Sequence, residues 1–247
     1  MSRDAGPHPI DAPGTGERCW RAWPWLSTLP RGGLTRLAGV ASTVIVAAHP
    51  DDEVLGVGGL MSMLAASRAR LRLVAVTDGE RSHLGHSAPA ALARRRTAET
   101  TAALHALGAG AAEVIRLRLP DTRLGDREDD LAEALAPLVA GFDLCLAPWD
   151  GDMHPDHEAA GRAARRTAAS AFYSFPVWMW HWARPGDPRV PWDRALRIPL
   201  PPRTAARKRA AIGRFASQTE DRGHGLGPVL APGMIAHFTR PMEVLLP

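Results

Sequence analysis

Apolar positions along this chain alternate between two kinds of run. Ser42 to Ala48 (STVIVAA) is short, β-branched and continuous, as are Leu71 to Val76, Val114 to Leu119 and Leu144 to Pro148. Each reads as a strand buried on both faces. Between them the spacing turns helical. Leu55 to Ala69 places Leu55, Leu60, Met63 and Leu64 on one side, and further helices are predicted over about Ala90 to Leu107, closed by Gly108, then Glu128 to Val139 and Pro155 to Ala169. Strand–helix repeats of this length predict an α/β domain with a mostly parallel sheet and helices on both faces. The aromatic run Phe172 to Trp182 reads as one more strand, Pro185 to Pro202 as irregular chain, Ala205 to Phe215 as a helix, and Gly233 to Leu246 as a closing strand. Residues 1–40 show neither period and carry Trp20, Trp23 and Trp25 among prolines and glycines. They are expected to form an N-terminal extension packed on a single domain at 41–247, since no linker or internal repeat divides the rest.

Composition narrows the class. The chain has 247 residues, 45% of them hydrophobic, enough for a substantial core. Its apolar runs fall far short of the roughly 20 residues a membrane helix needs, so no membrane span is expected. Asp4, Pro7, Pro9, Asp11 and Pro13 interrupt the start of the chain, which argues against a secretory signal and for a cytoplasmic setting. Cys19 and Cys145 lack metal-ligand spacing and read as structural. The formal net charge is only +4, with arginines interspersed among acids. The high pI owes much to a single Tyr and a single Lys, and no nucleic acid partner is expected.

Candidate chemistry collects at the strand ends. In an open parallel sheet, ligands sit beyond the carboxyl ends of the strands. There the sequence places His49-Pro50-Asp51-Asp52-Glu53, Thr77-Asp78-Gly79-Glu80, Pro120-Asp121, and Trp149 through His157. Catalytic zinc takes three protein ligands, commonly His and carboxylate, and keeps a position open. His49 and Asp52 from one loop and His157 from another would supply that set. Asp51, beside a ligand yet free, could take a proton from water acidified by the metal, while His154, with Asp156 as its orienting partner, could face a substrate carbonyl. Either loop alone could be a helix-capping device; two loops with complementary ligands point to a metal site.

Ala48-His49-Pro50-Asp51-Asp52-Glu53, followed by Gly58-Gly59 and, about 100 residues on, by His154-Pro155-Asp156-His157, resembles the LmbE-like or PIG-L family of zinc N-deacetylases. The likeness runs from about Ser42 to Ala169. It implies a Rossmann-like fold and removal of an N-acetyl group from an N-acetylglucosamine-type sugar or glycoconjugate. It further implies zinc, or another divalent metal, on His49, Asp52 and His157, with Asp51 as base, His154 as oxyanion stabiliser and Asp156 as its partner. Arg96, in Arg96-Thr97-Ala98-Glu99, is similar to the family's substrate-contacting arginine, and Asp121 stands where a sugar-binding acid is found. Arg96 could equally be a surface arginine, and Asp121 a turn residue after Pro120. Glu53 and Asp78 read as loop-holding acids, and His83 and His86 as candidates for a substrate lid. The arginine- and alanine-rich composition fits a high-GC genome, which makes a natural-product glycoside one candidate substrate. Two alternatives stand beside this reading: a metal-dependent amidase on a thiol or sugar conjugate, and a non-catalytic sugar-binding protein on the same fold.

Overall fold

The computed structural model describes residues 10, 13–31, 39–82, 88–222 and 227–247. His83 and His86 lie outside the described residues, as do 1–9, 11–12 and 32–38 of the expected extension. Two short helices, α1 (Glu17–Arg21) and α2 (Pro24–Thr28), precede β1 (Ser42–Ala47), α3 (Asp52–Ala66), β2 (Arg70–Ala75), α4 (Pro89–Leu107) and β3 (Glu113–Arg116). The chain continues through α5 (Glu128–Val139), β4 (Leu144–Pro148), α6 (Pro155–Thr167), β5 (Ala171–Phe175) and α7 (Met179–Trp182). It ends with β6 (Leu196–Pro199), α8 (Pro202–Ile212), α9 (Ala216–Thr219), α10 (Pro232–Phe238) and β7 (Met242–Leu245).

Five parallel strands form the central sheet in the order β3-β2-β1-β4-β5. The alternation inside β1 shows why the sheet needs helices on both faces. Ile45 and Ala47 join the core under α3 and α4, whereas Val44 and Val46 join a second core under α5 and α6. All four are fully buried. Strand order reverses between β1 and β4, and such a switch point opens a crevice at the carboxyl ends of those two strands. The His49 and His157 loops leave the sheet there. Among the described residues, no helix is long and apolar enough to cross a membrane.

Several elements differ from the sequence expectation. The run Phe172 to Trp182 is not one strand. Strand β5 stops at Phe175, Pro176 follows, and Met179–Trp182 is helical. Within Pro185 to Pro202 the chain forms β6, which pairs antiparallel with β7. A proline-ended strand survives there because its ribbon has only two strands. The expected strand over Gly233 to Leu246 is helix α10 followed by β7, and Pro232 at the first helical position was the sign of that helix. Strand β3 is shorter than expected, with Arg118 at φ 53° soon after its end.

Candidate active site

β1 ends in a turn that aims two carboxylates at one place. Asp51 has φ 113° and ψ −30°, an outlying conformation for a residue with a side chain. Glu53 accepts the Asp51 N–H at 3.2 Å, and Asp52 Oδ2 accepts the His49 N–H at 2.8 Å, so the turn is tied at both sides. Glu53 therefore holds the loop, as expected. Burial lifts its carboxyl to about 8, with Asp51 and Asp52 adding to the rise.

Three donor groups converge beside this turn. His49 Nδ1 lies 3.2 Å from His157 Nε2 and 3.5 Å from Asp52 Oδ2, and His157 Nε2 lies 3.2 Å from Asp52 Oδ1. A tetrahedral zinc with bonds of about 2.0–2.1 Å separates its ligands by about 3.3 Å. The donor set therefore fits such an ion in kind and in spacing. Groupings of His49, His154 and His157, and of His49, Asp121 and Asp156, also place donor atoms within 4.8 Å of one another. In the second grouping the carboxylates face the other ring nitrogen: His49 Nε2 is 3.1 Å from Asp156 Oδ2 and 3.2 Å from Asp121 Oδ1. Those two acids are placed to orient His49 and to leave its Nδ1 for the centre.

Asp156 is thus not the partner of His154. It grips His49 and also accepts the Thr122 and Leu124 amides at 2.7 and 3.1 Å, tying the loop after β3 to the start of α6. The reason is helical geometry: Asp156 and His154 straddle Pro155 at the helix start, and their side chains leave in different directions. His154 instead stacks on His157 at 4.5 Å and meets His49 edge-on at 4.9 Å. Its buried Nδ1 has no hydrogen-bond partner among the described residues. Burial, reinforced by the charges on His157 and His49, pushes it down to about 2, which favours a neutral imidazole.

Arg96 is buried, its Nη1 donating to Gly79 O at 3.0 Å and its Nη2 to Pro50 O and, at 3.3 Å, to Asp51 Oδ2. It is not a surface arginine: its guanidinium is bound to two strand-end loops, and it also lines the cavity, where its Nε has no hydrogen-bond partner among the described residues. Asp121 is buried too but lines the cavity, its carboxylate accepting the Arg81 N–H at 2.8 Å. Its carboxyl is lowered to about 2, because hydrogen bonding to His49 and the Arg81 amide outweighs burial. Asp78 pairs with Arg116 at 3.1 Å and holds the second loop to β3.

The group most clearly missed is Asp152. Fully buried, it accepts the amides of Val177, Trp178 and Met179 at 2.8–3.1 Å and holds His157 Nδ1 at 2.7 Å. A second acid within Asp150-Gly151-Asp152-Met153-His154 was the available signal. Burial alone would lower His157, but Asp52 and Asp152 raise it to about 9. Burial also lowers His49, yet its hydrogen bonds to Asp121, Asp156 and Asp52 hold it well above the usual imidazole range. Asp51 rises to about 7 through burial, against the pull of Arg96. A cavity of about 160 Å³ adjoins these groups, with Leu55, Val177, Trp178 and Leu230 forming apolar wall and Gln218 polar wall. Of the aromatic cluster, Trp178 reaches the cavity, whereas Trp180 packs on Trp20 and Trp182 stacks on Trp149.

Comparison with known proteins gives the family and the fold. The family profile described as "PIG-L: GlcNAc-PI de-N-acetylase" matches residues 44–168. A 1D-myo-inositol 2-acetamido-2-deoxy-alpha-D-glucopyranoside deacetylase 2 of Catenulispora acidiphila is 31% identical over 53% of this chain and 52% of its own length. A deacetylase of the same description from Streptomyces scabiei is 29% identical over 83% of this chain and 77% of its own. The chain spans about half the length of most of the curated relatives it matches. Among solved structures, an A40926 pseudoaglycone deacetylase superposes with a TM-score of 0.61 at 20% identity, covering 84% of this chain and 96% of that one. The N,N'-diacetylchitobiose deacetylase of Pyrococcus horikoshii gives 0.57 at 20% identity, over 74% and 73%. These likenesses at low identity concern the fold. With its central strands, both motif loops and the helices between them inside the matched span, the chain belongs to the PIG-L (LmbE-like) family.

Proposed function

We propose that this chain is a zinc-dependent N-deacetylase acting on an N-acetylglucosamine-type sugar or glycoconjugate, with His49, Asp52 and His157 as metal ligands. The observation that carries this reading is the convergence of two imidazoles and a carboxylate at 3.2–3.5 Å, beside a buried, unliganded Asp51 at the cavity wall. The names of the relatives support the choice of bond, since they are deacetylases of a 2-acetamido sugar. A bound divalent ion supplies Lewis acidity toward an amide carbonyl and acidifies water near neutrality.

The chain's own groups divide the remaining work. Asp51 accepts the proton of the attacking water and returns it to the leaving amine, a role suited to a carboxyl lifted to about 7. Arg96 fixes that carboxylate in direction through its bonds to Pro50 O and Gly79 O. His154 donates a neutral N–H toward the developing oxyanion. Asp152 orients His157, and Asp121 with Asp156 orients His49. The apolar wall around Trp178 gives the sugar ring a face to lie against, a common role for an indole.

The test is a set of N-acetylglucosaminyl compounds, free and glycosidically linked, incubated with the protein with and without zinc. Zinc-dependent release of equimolar acetate and primary amine is expected. No acetate from these compounds, with amine released instead from an N-acyl conjugate that carries a larger acid, would favour an amidase, and binding without release would favour a sugar-binding protein.

A further inference from the structure

Helix α3, which begins at Asp52, is broken one turn in. Val57 has φ −135° and ψ 18°, far from the helical values near −63° and −42°. In an unbroken helix the amides of Gly59 and Leu60 would bond to the carbonyls of Leu55 and Gly56. Here they donate to the two carboxylate oxygens of Glu243, at 2.6 and 2.9 Å. Lys208 Nζ in turn donates to Leu55 O at 2.7 Å and to Glu243 Oε1 at 2.6 Å. An ion pair is thus inserted into the helical ladder, its anion at the start of the second segment and its cation at the end of the first. Those are the signs the helix dipole favours at each end.

Both side chains are buried, 2% and 4% exposed, and Lys208 is the only lysine of the chain. Gly59 leaves room for the arrangement: a Cβ there would lie 2.5 Å from Leu200 and 3.0 Å from Glu243 Oε1. Burying two charges is expensive, and a well-packed apolar pair commonly stabilises a fold as well or better. The position of the pair gives it a further role. The turn it caps runs from Asp52, at the centre, to Leu55, at the cavity wall, and the break at Val57 sets the direction of that turn.

We propose that Lys208 and Glu243 are positioning residues for the metal centre, holding α3 broken so that its first turn presents Asp52 to His49 and His157. This rests on the metal reading above. The full chain is stripped of metal, and zinc affinity is measured by competition with a chromophoric chelator, with Tm recorded in parallel. Wild type, Lys208→Met/Glu243→Met and Gly59→Ala are compared. The double variant removes both charges and allows the ladder to close; Gly59→Ala crowds the Glu243 carboxylate and leaves the charges in place. The expected result is a zinc Kd raised at least tenfold in the double variant and severalfold in Gly59→Ala, out of proportion to any change in Tm. Should the double variant fail to fold, Gly59→Ala decides alone. Zinc Kd within twofold of wild type in the folded variants overturns the inference and leaves the metal reading standing. A wild-type chain that takes up no zinc overturns the metal reading, and the inference with it.

Discussion

At the scale of single residues, the proposed metal centre would depend as much on groups that orient the donors as on the donors. Asp152 holds His157 Nδ1 at 2.7 Å while accepting three backbone amides, so its own position is fixed. Asp152→Asn keeps the shape but loses the anionic acceptor, and zinc affinity is expected to fall about 10- to 100-fold, as is usual for such outer partners. Chelator competition checks this; an unchanged Kd would mean that His157 needs no such support. Asp51 gives the opposite pattern. Asp51→Asn should retain zinc and lose about 100- to 10,000-fold in kcat, the usual loss on removing a general base. Zinc content and kcat measured on one preparation separate the two residues. A loss of activity that merely tracks loss of metal would remove Asp51 from the chemistry.

At the scale of elements, function depends on close approach between backbones. Helix α6 crosses the end of β4 at Gly161, where a Cβ would lie 2.4 Å from the carbonyl oxygen of Pro148. Backbone cannot yield as a side-chain tip can. Gly161→Ala is therefore expected to cost about 1–3 kcal/mol in denaturant unfolding and to shift the helix that carries His157. A variant as stable as wild type would show that α6 has slack against the sheet. Gly79 makes a contact of another kind at φ 64°, where a Cβ would meet a side chain, 2.0 Å from Arg96 Nη1. Gly79→Ala should displace the guanidinium from Asp51 and lower kcat with little change in KM. A rise in KM alone would return Arg96 to the substrate-binding role expected from the sequence.

At the scale of the whole molecule, the segment before the sheet is fastened to the end of the chain. Trp20 is fully buried against Trp180 and Trp192, and Glu17 bonds to His237 at 2.8 Å and to Arg240 at 2.9 Å. Burial would raise the Glu17 carboxyl, but hydrogen bonds from His237, Arg240 and Arg21 lower it to about 2. A carboxyl lowered in the folded state stabilises above its unfolded value, here 4.5, and the contribution is lost as pH falls toward 2. Glu17→Gln should therefore reduce Tm at pH 7 and converge with wild type near pH 2. Parallel Tm curves over that range would show that the anchor does not depend on the charge.

What the sequence determined by itself is the alternation of strands and helices and the strand-end loops that carry the proposed donors. Both are local: period 2 and period 3.6 are written in neighbouring residues, and His49, Asp52 and His157 stand in compact motifs at strand ends. The later elements were less legible. Strand β6 and helix α10 depend on partners tens of residues away, and proline-rich or mixed apolar runs carry no period of their own. Tertiary structure alone decided which acid serves which base. Asp156 is two residues from His154 yet bonds to His49, 107 residues away, because a helix start sends successive side chains in different directions. It also turned Arg96 inward and set Glu243 into the ladder of α3, 184 residues from Gly59. Such pairings are chosen by the burial of charge, which must find a partner wherever the fold brings one, and no spacing along the chain records that choice.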